Sequence, residues 1–347
     1  MPIIELCNIS KYVCKNINLK ILNNEFTVLL GPNGAGKSTL LNIIAGLIEY
    51  QGSVLFDGKC VNHFPVNKRK IGYLFQDLYL FPHLDVFSNI AYSLEIRKKN
   101  SHKIRERVNE LLEMLRIENL LHCYPKQLSG GEKQRVAIAR SLATKPDILL
   151  LDEPLSSVDL QSSKYLRREL KQLQKELGMT TIYVTHNLME AEEMADKIVV
   201  IDKGKVEQIG GVKEIFFSPV NKQVSEFIGA PNILKCSKYK NLGKGIAEVN
   251  CGGLSVIIPD EGRAINKIAM LPRDIYCSEL RPPGPKVNRF KGSIIDIYSN
   301  IEVIRLELKV GENILLAELP YHIFARMNLK IGKEIFIILK LRTIKCL

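Results

Sequence analysis

The sequence predicts an α/β domain built on a parallel sheet, carrying a helical insertion and followed by a smaller all-β domain. Three observations lead there. A glycine-rich loop of the form G-x-x-x-x-G-K-S/T, Gly31-Pro-Asn-Gly-Ala-Gly-Lys-Ser-Thr39, lies between the apolar runs Phe26–Leu30 and Leu40–Leu47. That strand, loop, helix order is the context in which such a loop binds phosphate. The apolar runs Ile148–Leu151 and Thr180–Val184 read as strands buried on both faces, and each leads into polar residues. After about Ala230, helical spacing gives way to short β runs punctuated by Gly, Pro and Asn.

Taken in order, residues 3 to 30 hold three short strands, Ile3–Leu6, Ile17–Ile21 and Phe26–Leu30, separated by turns rich in Asn and Lys. Tyr12 sits in the first connection, where its ring either stacks on a purine base or packs on the sheet edge. The helix after the glycine-rich loop starts near Lys37. Gly52–Gly58 reads as a hairpin strand closing on an Asp-Gly turn, and Ile71–Gln76 as a strand ending in a polar residue. Helical spacing from about Ser88 to Leu121, as in Val108, Leu111, Leu112 and Leu115, marks the helical insertion, set at about 88–145. Within it, Ser129 and Glu132 form a capping box that opens a further helix. An ordinary capped helix does not need the two glycines that follow, Gly130 and Gly131, and a bare backbone at a helix's positive end suits close approach of an anion. Ile148–Pro154 is a strand ending in the carboxylates Asp152 and Glu153, Thr180–Val184 one ending at Thr185-His186, and Ile198–Ile201 one that precedes the Lys203-Gly-Lys turn. The first domain is set at 1–230 and the β domain at 231–347, in two halves separated by the rigid turn Arg281-Pro-Pro-Gly-Pro285. Its strands are Leu254–Ile258, Ile268–Leu271, Gly292–Tyr298, Glu302–Leu308, Ile314–Leu319 and Glu334–Leu341.

These positions imply chemistry. Gly34 and Gly36 let the backbone wrap so that successive N–H groups point inward, and the helix N-terminus adds its positive end: a seat for polyphosphate. Lys37 reaches the β- and γ-phosphates, Ser38 ligates Mg²⁺ and Thr39 donates a further hydrogen bond. Ligands gather at the carboxyl ends of strands in open α/β sheets. Asp152 is therefore placed beside Mg²⁺, Glu153 as the base or orienter of an attacking water, and His186 to sense the γ-phosphate.

The 347 residues, 46% of them hydrophobic, suffice for two or three domains with their own cores. The net charge of +12 is compatible with nucleic acid or an anionic membrane face, yet the basic residues do not collect in one tract and read better as a solvated lysine-rich surface. The eight cysteines show no C-x-x-C pair, so neither a zinc site nor a disulfide framework is indicated and a reducing cytoplasm is the default. The N-terminus lacks the pattern of a signal peptide, and no run of about eighteen apolar residues spans a membrane.

With these residues in hand, the chain resembles the ATP-binding subunit of an ABC transporter over essentially its whole length. Gly31, Pro32, Asn33, Gly34, Ala35, Gly36, Lys37, Ser38 and Thr39 are similar to the family's Walker A loop, Gln76 to its Q-loop glutamine and Leu128–Glu132 to its signature sequence. Leu149–Glu153 resembles the Walker B strand, Ser156 to Asp159 the D-loop and His186 the switch histidine. Glu132 stands where the signature often has Gln, Asn187 where Asp usually follows the histidine, and the Tyr12 connection is short. The resemblance implies a P-loop NTPase (ABC ATPase) domain that hydrolyses ATP with Mg²⁺, held by Ser38, Gln76 and Asp152. It implies a head-to-tail homodimer, with each ATP bound by the Walker motifs of one subunit and by Ser129, Gly130 and Gly131 of the other, and with Asp159 and Tyr12 also at the nucleotide. The Gln76 to Leu84 segment, with Phe81-Pro-His-Leu84, would pass motion to transmembrane permease subunits, which an extracytoplasmic solute-binding protein supplies. The location implied is peripheral, on the cytoplasmic face of the cell membrane.

The C-terminal part resembles the transport-associated OB-like domain of import ATPases, and from Pro285 most of all the molybdate-binding type, through Pro282-Pro283, Asn288, Val310-Gly311, Ala317 and the segment Glu334 to Ile344. The usual Ser-x-Arg-Asn anion loop is here Pro285-Lys-Val-Asn288, so binding of a regulatory oxyanion and a purely structural dimerisation role stay open. The expected function is ATP-driven import of an oxyanion such as molybdate, tungstate or sulfate; the alternative is a sugar, polyamine or ferric-iron importer. A soluble protein acting on nucleic acid is the more distant reading. Single-strand binders need exposed aromatic platforms, whereas Trp is absent and Tyr276, Tyr298 and Phe336 fall within apolar strand patterns, so no nucleic acid partner is expected.

Overall fold

The computed structural model describes residues 1–156, 158–260, 262, 265–284, 287–299 and 303–347. Ser157, Pro285, Lys286 and Glu302, which figure in the expectations above, lie outside the described residues. The chain divides into two compact units, Met1–Ile215 and Phe216–Leu347. The division falls ahead of the 230/231 boundary expected from the composition, inside a short helix, Val212–Phe217.

The first unit opens with β1 (Ile4–Lys11), β2 (Cys14–Ile21) and β3 (Phe26–Leu30), followed by α1 (Lys37–Ala45), β4 (Gln51–Phe56), β5 (Lys59–Cys60) and β6 (Ile71–Leu74). Three helices come next, α2 (Val86–Ile96), α3 (Ser101–Leu115) and α4 (Gly130–Leu142). The unit continues with β7 (Ile148–Asp152), α5 (Leu160–Leu177), β8 (Thr180–Thr185), α6 (Leu188–Met194), β9 (Lys197–Asp202) and β10 (Lys205–Gly210), and the division falls within α7 (Val212–Phe217).

Six strands pair in the order β10-β9-β3-β8-β7-β6, all parallel except the edge strand β10. β3, β7 and β8 are buried at every position, which explains their unbroken apolar runs: a strand covered on both faces has no polar side to alternate with. A second, antiparallel sheet has the order β2-β1-β4-β5. One core cluster joins Ile4, Leu6 and Leu19 of that sheet, Leu40 and Ile44 of α1, and Leu150 of the parallel sheet. The ends of β3, β6, β7 and β8, four strands that are neighbours in the sheet, therefore open on one edge around the start of α1.

The helical insertion begins at Val86, because Asp85 caps α2 by accepting from Ser88 N at 2.8 Å. Asn100 caps α3 in the same way, with a 2.9 Å bond from His102 N. α3 turns Ile104, Val108, Leu111, Leu112 and Leu115 inward, the spacing the sequence displays. Arg107 is buried with them, donating from Nη2 to Leu142 O at 2.7 Å and from Nε to Ala143 O at 3.3 Å, so its charge closes the C-terminal end of α4.

The second unit holds α8 (Lys222–Ile228), β11 (Asn232–Lys235), β12 (Ser237–Gly243), β13 (Ile246–Cys251), β14 (Leu254–Pro259), β15 (Lys267–Met270) and β16 (Ile275–Ser278). After these come β17 (Arg289–Ser299), β18 (Val303–Val310), β19 (Asn313–Pro320), α9 (Tyr321–Arg326), β20 (Glu334–Leu339) and β21 (Lys345–Cys346). All its pairings are antiparallel, in sheets ordered β11-β15-β21, β12-β13-β14 and β16-β20-β17-β18-β19, the last being the OB-like β sheet. One core cluster draws on all three sheets.

Three features of this unit depart from expectation. The closing strand ends at Leu339 and is followed by a helical turn, Leu341–Thr343. Tyr276 and Tyr298 are each 48% exposed rather than covered, because the neighbouring positions of their strands, such as Ile275 and Cys277, take the inward face. Cys236, between β11 and β12, and Cys251, the last residue of β13, have their sulfurs 3.2 Å apart, a proximity that sequence spacing does not reveal.

Candidate functional site

The glycine-rich loop leaves the end of β3 and enters α1 through Gly36, whose φ of 102° is a conformation that L side chains rarely adopt. A side chain at Gly36 would also meet Cys14 Sγ at 2.7 Å and Val13 Cγ1 at 3.0 Å. The β1–β2 turn is thus pressed against the loop, and Cys14 Sγ lies 3.6 Å from Gly36 O as its donor. Lys37 is only 5% exposed; its Nζ donates to Gly31 O at 2.8 Å and Pro32 O at 2.9 Å, so the ammonium spans the loop. Burial pulls its pKa below the usual lysine value, against the opposing pull of the Glu153 and Asp152 charges.

Asp152, the last residue of β7, accepts a hydrogen bond from Ser38 Oγ at 2.9 Å. It is 7% exposed, and burial holds its carboxyl above the ordinary range although the Ser38 hydroxyl and Lys37 pull the other way. Glu153 follows with φ 42°, a left-handed backbone that costs a residue with a β-carbon about 1–3 kcal/mol and persists only where its surroundings over-determine it. Two contacts do so: its N–H donates to Val184 O at 3.0 Å, and its Oε1 lies 3.0 Å from His186 Nδ1. The carboxylate just after β7 and the histidine just after β8 are therefore one pair, with the imidazole half exposed and the Glu153 side chain 14% exposed.

A cleft of about 340 Å³ collects these groups, lined by Val13, Asn33, Gly34, Gly36, Lys37, Ser38, Thr39, Gln76 and Glu153. Gln76 comes from beyond the end of β6. Ser38 hydroxyl, Asp152 carboxylate and Gln76 carboxamide make an all-oxygen donor set, which fits a hard cation such as Mg²⁺ that keeps phosphate and water among its ligands. No group of three or more His, Cys, Asp and Glu side chains that would hold a metal by itself occurs among the described residues.

The other expected residues lie apart from that cleft. Tyr12 is 75% exposed with φ 49°, in an adjoining groove shared with Ser10, Lys11, Cys14 and Tyr50, and Lys11 Nζ sits 4.9 Å over its ring. That exposure removes the reading of a ring packed on the sheet edge. Ser129 caps α4 as expected: Glu132 N donates to Ser129 Oγ at 3.4 Å, while Glu132 Oε2 accepts from Ser129 N at 2.8 Å and Ser129 Oγ at 2.7 Å. Those two bonds hold the Glu132 carboxyl below its ordinary value. Ser129 and Gly130 are exposed, and a β-carbon at Gly131 would meet nothing within 4 Å, so this helix end faces open space in the single chain. Asp159 accepts from Ser162 N at 3.0 Å at the start of α5.

Sequence reasoning passed over Val13 and Cys14, which no motif marks. It also passed over Arg140, whose guanidinium donates to Leu78 O at 2.6 Å and Tyr79 O at 2.7 Å just beyond Gln76. In the second unit, Asn288 is 4% exposed and its carboxamide pairs with the Ile257 backbone, accepting from Ile257 N and donating to Ile257 O, each at 2.7 Å. Arg289 is likewise occupied, by the carbonyls of Pro282 and Pro283.

Comparison with known proteins agrees with this geometry. Residues 14–156 match the family model described as ABC transporter. The chain is 37% identical over 337 residues to the molybdate/tungstate import ATP-binding protein of Pyrococcus abyssi, covering 96% of each chain. It is 40% identical over 329 residues to the spermidine/putrescine import ATP-binding protein of Legionella pneumophila, covering 91% of this chain and 90% of that one. Among solved structures it is similar to a bacterial ABC transporter cassette in dimeric form, at TM-score 0.56 and 34% identity over 60% of this chain and 98% of that one. The same values hold for that cassette as a dimer in a post-hydrolysis state bound to ADP and Pi.

Proposed function

The chain belongs to the ABC transporter family as the ATP-hydrolysing subunit of an importer, and from that premise we propose that it drives oxyanion uptake as a homodimer on the cytoplasmic face of the cell membrane. The observation that carries the reading is the cleft that unites Lys37, Ser38, Gln76 and Glu153, with His186 on Glu153. Among the described residues no helix is long and apolar enough to cross a membrane. The likeness to import ATP-binding proteins supports a cargo route through separate permease subunits.

In this reading the backbone N–H groups of Gly34 to Thr39 and the start of α1 bind the phosphates of ATP. Lys37, already desolvated, needs little further loss of water to meet the β- and γ-phosphates. Ser38, Asp152 and Gln76 would hold Mg²⁺, which would neutralise charge on the phosphates. Glu153 orients and deprotonates the attacking water, and His186 reports the γ-phosphate through the bond it shares with Glu153. Tyr12 offers its exposed face to adenine. The open helix end at Ser129 to Gly131 completes the site of a second copy, with Asp159 at the same interface. This is the arrangement under which a bare pair of glycines at an exposed helix start has a use. The segment from Gln76 to Leu84, clamped by Arg140, passes closure to the permease, and a solute-binding protein delivers cargo from the other side.

An oxyanion, molybdate, tungstate or sulfate, is the favoured cargo; the Pyrococcus relative, named for molybdate and tungstate, supports the first two, and its match spans 96% of both chains and so includes the β domain. The engagement of Asn288 with Ile257 argues for a structural rather than an oxyanion-sensing role at that position. A polyamine is the second reading, supported by 40% identity to the spermidine/putrescine relative. The test is to capture the membrane partner with this subunit, reconstitute both with the cognate binding protein, and measure ATP hydrolysis with each solute. Stimulation by molybdate or tungstate supports the oxyanion, and stimulation by spermidine or putrescine alone replaces it.

A further inference from the structure

We propose that Glu190 is a positioning residue for hydrolysis: its buried carboxylate clamps the turn that carries His186. The inference rests on the reading of His186 as a γ-phosphate sensor. Glu190 lies in the first turn of α6, where an acid ordinarily stays in water and gains from the helix dipole. Here it is only 7% exposed, and Asn187 caps the helix instead, its Oδ1 accepting from Met189 N at 2.9 Å and from Glu190 N at 3.4 Å.

The Glu190 carboxylate turns toward β8. Its Oε2 accepts from Thr185 Oγ1 at 2.7 Å and from Tyr183 Oη at 2.9 Å, both on fully covered side chains. Thr185 Oγ1 accepts in turn from Asn187 N at 2.9 Å. The residues on either side of His186 are thereby tied into one ring of bonds that closes at Glu190, while the imidazole itself is half exposed. A carboxylate withdrawn from water needs strong donors, and both hydroxyl donors here sit on the strand that delivers the histidine. A helix that merely packed would be served by an apolar residue at this position. The ring fixes the direction in which His186 leaves β8, and with it the 3.0 Å approach of Nδ1 to Glu153.

The test uses the full chain with Glu190→Ala, Glu190→Gln, Thr185→Val and His186→Ala. Steady-state ATP hydrolysis is measured on each, and the imidazole signals of ¹⁵N-histidine-labelled protein are recorded, His186 being assigned by its loss in His186→Ala. Glu190→Ala is expected to lower kcat roughly 10- to 100-fold with KM for ATP changed less than about threefold, because misplacing a group degrades the reacting geometry and leaves the phosphate seat intact. It should also displace the His186 signal. Glu190→Gln, whose carboxamide oxygen still accepts both hydroxyls, is expected to restore kcat and return the signal.

Turnover in Glu190→Ala within about twofold of the parent, an unmoved His186 signal, or a Gln variant as slow as the Ala variant would each overturn the clamp. If Glu190→Ala does not fold, Thr185→Val, of the same shape, must show the loss of kcat and the signal shift, and its failure to do so overturns the proposal equally. A His186→Ala variant with full turnover would instead overturn the underlying sensor reading. An inactive His186→Ala beside a normal Glu190→Ala removes only the role given to Glu190.

Discussion

Replacing Glu153 by Gln separates binding from chemistry in this site. The side chain is 14% exposed, bonded to His186 at 3.0 Å, and on the wall of the cleft that also holds Lys37 and Ser38. A carboxamide has the same shape, so the bonds from Lys37 to Gly31 O and Pro32 O and from Ser38 to Asp152 are left in place. It cannot take a proton from water. Loss of a positioned general base costs about 10²–10⁴-fold in turnover, equivalent to about 2.7–5.4 kcal/mol at 1.36 kcal/mol per tenfold. The like charge beside Asp152 also disappears, so affinity for ATP should be unchanged or tighter. Phosphate release gives kcat, titration with a fluorescent ATP analogue gives affinity, and size-exclusion chromatography in ATP should show dimers accumulating. Turnover within about fivefold of the parent would refute the assignment of Glu153 as base. Parallel loss of binding and turnover would place Glu153 in nucleotide retention instead.

Three further outcomes follow from individual side chains. Arg107→Ala leaves Leu142 O and Ala143 O buried without their donor and should destabilise the first unit by about 3–5 kcal/mol, read as a lower urea midpoint. Asp152→Asn should raise the thermal midpoint at neutral pH while reducing turnover. Burial raises the folded pKa of Asp152, so its stabilising contribution is complete below the unfolded value and lost as pH rises through the folded one, and the variant's advantage should vanish in acid. Glu132→Gln removes a carboxylate kept ionised by Ser129 from the exposed helix end, and ATP-dependent dimerisation should tighten several-fold, measured by light scattering against ATP concentration.

Legibility from sequence followed how local each feature is. The phosphate loop could be read because its glycines, lysine and hydroxyls are contiguous, and β3, β7 and β8 because strands buried on both faces cannot hide their apolar runs. β12 left no trace, since all seven of its residues are exposed and they include Lys238 and Lys240. In α5 the helical spacing of Leu166, Leu170 and Leu173 is diluted by a majority of charged and polar residues. The Glu153–His186 pair joins residues 33 apart through the adjacency of β7 and β8, so each was visible as a strand end but not the bond between them. Glu190 looks like any first-turn acid until its burial is known. Asn288 shows the converse: a residue that fits a ligand loop by pattern is bonded to the backbone of Ile257 in β14.

Exposure divides the site into two parts that must behave differently. Lys37 and Asp152 are 5% and 7% exposed and already hold protein partners, Gly31, Pro32 and Ser38, so their geometry is set by folding. Gln76, His186 and Ser129 stand in solvent. A group whose position is fixed in advance gives affinity with little ordering cost, whereas an exposed one must exchange water for its partner each time it engages. Under the proposed function, nucleotide binding would rest on the buried part and occur in a single chain. Hydrolysis would need the exposed part brought into register. His186 is held for that by the Glu190 ring, Gln76 by the Arg140 clamp on Leu78 and Tyr79, and Ser129 by its capping box. Each exposed group is thus anchored through its neighbours in the chain while its own functional atoms stay accessible, an arrangement that suits the proposed completion of the site by a second copy.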